Sequence, residues 1–530
     1  MTEVSFDAPY PSARSPVCAA NVVATSQPLA TQAGLDALRR GGNAVDAALA
    51  AAITLTVVEP NNNGLGSDAF CILWDGNELV GLNASGRAPG AWTRKRFRGR
   101  NAMPRLGWDS VTVPGAVSAW VALSGRFGRL PFADLFEAAG HYARDGFQVG
   151  PKSAHYWRLA AQGRDRYPEF VRHFLPAPEA GSLVRRPDLA RSLAAIAESH
   201  GESFYRGELA ERMARTARED GGALSLADLA AHRADWVTPV AQPYRNVVLH
   251  EMPPNGQGLA AQIALGILRH RDIEPVDSTA SVHLELEAMK LAVRAAFDHL
   301  ADADAMRVAP EALLEPDMLA RLAAAIGRDA APVPPAPLPV GGDTVYLAAA
   351  DANGVMVSFI QSNYESFGSG IVIPGTGIAM QNRGAGFSLD PDHPNCVAPG
   401  KRPYHTIIPG FVTDAPGSTG AAASPRLAFG VMGGHMQHQG HVQMVRRIFD
   451  HAQNPQTASD APRWHVYADF SVGLEPGFSE TVARELVERG HTVRWERQQH
   501  VFGGAQLVLR TAHGYVAGSD HRKEGQAGGF

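Results

Sequence analysis

A threonine hydroxyl is a weak nucleophile until a base stands beside it. Thr344 occupies a place where the chain can make that base for itself. It follows Gly341-Gly342-Asp343, directly after the proline-rich run APVPPAPLPV at 331–340. Prolines 332, 334, 335, 337 and 339 favour extended polyproline II and bar a helix or a central strand, so the run is expected to be an exposed connection. Cutting the Asp343–Thr344 bond would make Thr344 an N-terminus. Its α-amino group, with a reference pKa of about 8, would then be its own general base.

Acyl transfer also needs donors for an oxyanion. Gly433-Gly434, after the strand-like LAFGVM, can present two consecutive amide N–H groups with no side chain in the way. The same pair also reads as a plain strand-to-helix turn. His435, His438 and His441 recur every three residues, but no carboxylate nearby completes a metal set. They read as the imidazole-rich start of a helix near a polar site, and no metal is expected. There is no GxSxG, no Walker A loop and no HExxH. GSGIVIPGTG at 368–377 lacks the GxGxxG spacing and runs into strand-like residues, so no dinucleotide or other cofactor is expected.

The elements that would position these residues are legible in part. Thr31–Arg40 has one apolar face and ends at Gly41-Gly42. Asn43, with Asp46 three residues on, caps an Ala-rich helix through Val58. Further helices are expected over Leu189–Ser199 and Ser281–Ala301. After the proline run the period changes to two. Val345–Ala350 and Val355–Gln361 read as a hairpin around Asp351-Ala352-Asn353-Gly354, which places Thr344 at its mouth. Short strands follow over Gly368–Met380, Ile407–Val412, Leu427–Met432 and Gln506–Leu509. Two helices are expected over Val442–His451 and Ser479–Arg489.

At 530 residues the chain exceeds what one core usually serves. With 45% hydrophobic and 19% charged residues it is globular, and a net charge of −5 without a basic cluster argues against nucleic acid. Cys18, Cys71 and Cys396 form no disulfide framework. The start shows no secretory pattern, and the apolar stretch Ala47–Val58 is too short to span a bilayer. The expectation is a cytoplasmic protein with no membrane partner. A homo-oligomer is compatible with the sequence.

Nine segments in order carry a resemblance that covers nearly the whole chain. They are 24–50, VVEPNNNGLGSDAF (57–70), TVPGAV (112–117), ARDGFQV (143–149), MPPNGQG (252–258), GDTVYLAAADANG (342–354), FGSGIVIPGTGI (367–378), KRP (401–403) and MGGH (432–435). Together they resemble the γ-glutamyltransferase family of N-terminal-nucleophile hydrolases. The resemblance implies an α/β four-layer αββα sandwich, made as one precursor that cuts itself between Asp343 and Thr344. It implies a mostly helical large chain, 1–343, and a small chain, 344–530, that stay associated. It matches Gly433 and Gly434 to the oxyanion hole and Ser362 to the hydroxyl that supports the nucleophile.

The departures from the family pattern bear on the substrate. Val345 stands where a second threonine is usual. The residues that hold a γ-glutamyl α-amine match Tyr364, Arg383 and Gly386, so ammonium acceptors are lost and a guanidinium has appeared. His405-Thr406 replaces a serine pair. Ser85 stands at the place of the carboxylate-binding arginine, with Arg87 two residues on. The loop between Phe387 and Lys401 is short, which suggests no lid. The chain is accordingly expected to hydrolyse the amide of a small carboxylate-bearing substrate such as oxamate. Arg87 and Arg383 would hold the carboxylate, with Tyr364, His405 and Thr406 around it. The alternatives are a γ-glutamyltransferase or glutathione hydrolase, a glutaryl-type cephalosporin acylase, and an unprocessed binding protein.

Overall fold

The computed structural model describes residues 13–332, 342–416 and 424–530; the expected proline-rich connection lies, from 333 to 341, outside the described residues. Two seven-stranded sheets pack face to face, with helices on both outer faces, which is the four-layer αββα sandwich. One sheet runs, by space, 526–529, 22–25, 343–350, 356–364, 68–74, 79–83, 235–237. The other runs 17–19, 514–519, 504–511, 425–432, 410–414, 247–251, 240–244. Residues before and after position 343 supply strands to both sheets, so residues 1–343, expected to be mostly helical, contribute strands as well as helices.

The hairpin expected after the proline run is Asp343–Ala350 against Met356–Tyr364, with Val345 opposite Gln361 and Ala350 opposite Met356. Strand side chains alternate between faces. Val345, Leu347 and Ala349 pack on the helix side, while Tyr346, Ala348 and Ala350 enter the core between the sheets. The register of the hairpin shifts at Thr344, between the Asp343–Tyr364 and Val345–Gln361 pairs. Gly430 on the facing sheet makes room for Tyr346, since a Cβ there would lie 2.5 Å from the ring.

Helix Ala44–Val58 begins with the capping box its sequence announces. The Asn43 side chain accepts from the amides of Val45 and Asp46, and the Asp46 carboxylate accepts from the Asn43 amide at 2.9 Å. Every residue of this helix is buried, and its small side chains let it lie directly on the hairpin. Thr279–Phe297 and Gly258–Leu268 cover the other sheet with Met436–Phe449. That last helix starts six residues before the expected Val442, with His435 at its N-cap and His438 and His441 within it. Gly368–Met380 contributes only the two-residue strands Val372–Ile373 and Ile378–Ala379. Among the described residues no helix is long and apolar enough to cross a membrane.

Candidate active site

Thr344 is buried at the first turn of its strand, and its Oγ1 meets two side chains. It donates toward Ser362 Oγ at 3.4 Å and accepts from Gln437 Nε2 at 3.3 Å. Ser362 lies on the neighbouring strand, where its Oγ accepts the Tyr364 amide at 2.8 Å. Gln437 comes from the first turn of Met436–Phe449. Its Oε1 accepts the Ile408 amide at 3.0 Å, which fixes the side-chain orientation and turns Nε2 to Thr344.

The turn before that helix holds Gly433 and Gly434, at φ 116° and 57°, a left-handed region that favours glycine. The uncut chain lies on this turn. A Cβ on Gly342 would be 2.7 Å from Gly434 Cα, so the chain just before Asp343 runs over the glycine pair. The Gly434 carbonyl accepts from Gln257 Nε2 at 2.8 Å. The same amide donates to the Thr406 carbonyl. Its Oε1 takes the Tyr404 hydroxyl at 2.7 Å and meets His438 Nδ1 at 2.9 Å. Gln257 thus ties the glycine turn to the loop 404–406.

That loop leads to a second group of residues. Tyr364 has φ 79°, a strained value for an aromatic residue, and lies opposite Asp343 in the hairpin. The Arg383 guanidinium covers its ring at 4.5 Å and donates through Nη1 to Thr406 Oγ1 at 2.8 Å. Arg383 is 1% exposed, yet among the described residues its Nε and Nη2 have no hydrogen-bond partner, and neither does the Tyr364 hydroxyl. Burial lowers the Arg383 pKa to about 10, and the Asp68 carboxylate opposes that shift. Burial likewise lifts the Tyr364 phenol well above its usual range.

Asp68 sits behind this arginine. One oxygen accepts the amides of Gly86 and Gly115, each at 3.1 Å, and the other accepts His405 Nε2 at 3.3 Å. Because His405 Nδ1 accepts the Ile407 amide, the proton is on Nε2. Burial keeps His405 neutral, with Arg383 and Arg402 acting the same way. Burial also raises Asp68 to about 7, against the pull of Arg383 and the two amides.

The structure therefore gathers Thr344, Ser362, Gly433 and Gly434 at one place, with Tyr364, Arg383, His405 and Thr406 joined to them through the hairpin and Gln257. Arg87 is elsewhere. Its half-exposed side chain pairs with Asp302 at 3.4 Å and Asp235 at 3.6 Å and donates to the Gly400 carbonyl. Ser85 is buried against Asn83 and Asn255. His435 faces Tyr404, His438 meets Gln257, and His441 Nδ1 lies 2.6 Å from Glu251. Among the described residues no three His, Cys, Asp or Glu side chains come together as a metal cluster.

Sequence reasoning missed Asp68, Gln257 and Gln437. Asp68 had a signal: an acid opening the otherwise apolar strand DAFCILW must find partners on burial. The two glutamines had none, because a neutral amide shows its role only through what it touches.

An αββα sandwich with a hydroxyl at the first turn of a central strand, its preceding residues laid over a glycine turn, is the architecture of the N-terminal-nucleophile hydrolases, which mature by cutting themselves. The chain belongs to the gamma-glutamyltranspeptidase family, whose model matches residues 30–530. It is 36% identical to the oxamate amidohydrolase proenzyme of Klebsiella pneumoniae, over 95% of this chain and 97% of that one. It is 34% identical to the glutathione hydrolase-like YwrD proenzyme of Bacillus subtilis, with the same coverage. The cephalosporin acylase from Bacillus halodurans matches with a TM-score of 0.94 at 44% identity, covering 100% of this chain and 99% of that structure. The protein is a self-processing amide hydrolase of this family, its large and small chains derived from one precursor.

Proposed function

We propose that the mature enzyme hydrolyses the amide of a small substrate whose acyl part carries a carboxylate and no α-amine, with oxamate the simplest example. The observation that carries this reading is the free edge of Arg383. Nε and Nη2 form the side of a guanidinium that pairs bidentately with a carboxylate, and both are buried without partners among the described residues, beside the equally free Tyr364 hydroxyl. Leaving such donors empty is costly, and an ammonium there would meet a like charge. Arg383, not Arg87, receives the anion in this reading, since Asp235 and Asp302 already compensate Arg87.

In maturation the Thr344 hydroxyl attacks the Asp343 carbonyl. The C–N bond breaks, the acyl group moves to Oγ1, and water hydrolyses the ester to free residues 1–343. In turnover Thr344 attacks the substrate carbonyl with its α-amine as base, Ser362 orienting the hydroxyl. Gly433 and Gly434 hold the oxyanion, ammonia or an amine leaves, and water resolves the acyl-enzyme. Thr406 keeps Arg383 in place, and His405 holds Asp68 behind it. The test is a panel on processed protein of oxamate, glutaryl amides and γ-glutamyl amides. Turnover of the first two classes above the third is expected. Preference for γ-glutamyl amides overturns the reading.

A further inference from the structure

We infer that Gln437 is a catalytic residue for both self-cutting and turnover, donating a hydrogen bond to the threonine oxygen when that oxygen is the leaving group. The inference rests on the reading of Thr344 as nucleophile. Gln437 is fully buried in the first turn of Met436–Phe449, three residues after Gly434, whose carbonyl accepts its amide. Its side chain is held at both ends, by the Ile408 amide on Oε1 and by Thr344 Oγ1 on Nε2. Because Ile408 N–H is only a donor, the side chain cannot turn over without losing that bond. Nε2 must therefore donate to Thr344.

Such a donor does not help Oγ1 attack, because it occupies a lone pair. It helps Oγ1 depart. Self-cutting and turnover both end with water adding to an ester of Oγ1. In each the tetrahedral intermediate collapses, the C–Oγ1 bond breaks, and its electron pair goes to Oγ1. The proton comes from the α-ammonium, which took it from the attacking water. Gln437 transfers no proton; it stabilises the charge that builds on Oγ1, from a dry and fixed position. The oxyanion turn thus serves the carbonyl oxygen while the first turn of the following helix serves the bridging oxygen.

The experiment follows newly translated full-length precursor on denaturing gels, comparing wild type, Gln437→Met, Gln437→Glu and Thr344→Ala. Processed protein is then mixed rapidly with a glutaryl 4-nitroanilide. Loss of one donor to a developing charge predicts cutting slower by about tenfold to a hundredfold in both Gln437 variants. It also predicts a burst of nitroaniline followed by a slowed steady state, because deacylation suffers more than acylation. A residue that merely supports the fold would not change that partition. Circular dichroism of each precursor checks folding, and the near-isosteric Gln437→Glu decides if Gln437→Met does not fold. Cutting and turnover within twofold of wild type in a folded variant, with Thr344→Ala inert, overturn this inference alone. A Thr344→Ala protein that still cuts and hydrolyses overturns the underlying reading instead.

Discussion

At the scale of single residues, the site is built around a charge that lacks its partner. The buried Arg383 side chain donates to Thr406 and stacks on Tyr364, while its Nε and Nη2 meet no acceptor among the described residues. The carboxylate that acts on it most, Asp68, is occupied by two backbone amides and His405. Bonds to a charged group contribute about 1.5–3 kcal/mol each. Arg383→Gln should therefore lower kcat/KM for carboxylate-bearing amides by about a hundredfold, mainly through KM, while amides without a carboxylate change little. Steady-state kinetics on matched substrate pairs checks this. Asp68 gives the pH dependence. Its pKa is raised by burial from 3.8 to about 7, so the neutral acid favours the folded state. That contribution is present below pH 3.8 and is lost as pH rises through about 7. Over the same upper range ionised Asp68 competes for Arg383, so KM for an anionic substrate should rise through about pH 7. Asp68→Asn should flatten both profiles, as read by pH-dependent kinetics and chemical denaturation.

At the scale of elements, the hairpin and its packing hold Thr344. Gly430→Val would drive a side chain into the Tyr346 ring, two residues from Thr344. Overpacking of this kind costs about 1–3 kcal/mol, so the variant should lose that much in chemical denaturation and be cut more slowly than wild type. The elements also show what could be read beforehand. Asn43 and Asp46 announce a helix start by local chemistry, and the capping box forms as written. The hairpin strands alternate because one side chain in two meets the facing sheet, a pattern visible in the residues themselves. The start of Met436–Phe449 was not visible. Its first turns are rich in Gln and His, which suggests an exposed surface, yet all are buried. Gln439 pairs with the backbone of Val466, and Gln443 with that of Trp464, as a neighbouring strand would. Burial satisfied by long-range partners leaves no periodic trace. The same reason hid Gln257 and Gln437, while the glycine pair and Thr344 were singled out by their context in the chain and by the family resemblance.

At the scale of the whole molecule, the proposed cut between Asp343 and Thr344 would divide the chain but not the fold. The strand Asp343–Ala350 lies between Val22–Thr25 and Met356–Tyr364, and Gln526–Gly529 closes on Val22–Thr25 from the far end of the sequence. After cutting, the two chains should co-elute in gel filtration and separate only in denaturant. A buried ionic cluster adds to this single core. Asp520 pairs with Arg463 at 2.5 Å and Arg522 at 3.1 Å, and Glu475 also binds Arg522. The two guanidiniums hold the Asp520 carboxylate well below its usual range despite burial. Its stabilisation is thus present above pH 3.8 and lost only in strong acid. Asp520→Ala leaves buried cations unpaired and should cost about 3–5 kcal/mol by denaturant titration. In the proposed mechanism everything depends on freeing the amine of one threonine. The most direct measurement is the intact mass and N-terminal sequence of the purified protein, set beside Thr344→Ala. The account predicts two chains, the smaller beginning at Thr344, and a Thr344→Ala protein that stays whole and inert. A single uncut polypeptide that hydrolyses amides at full rate would contradict it.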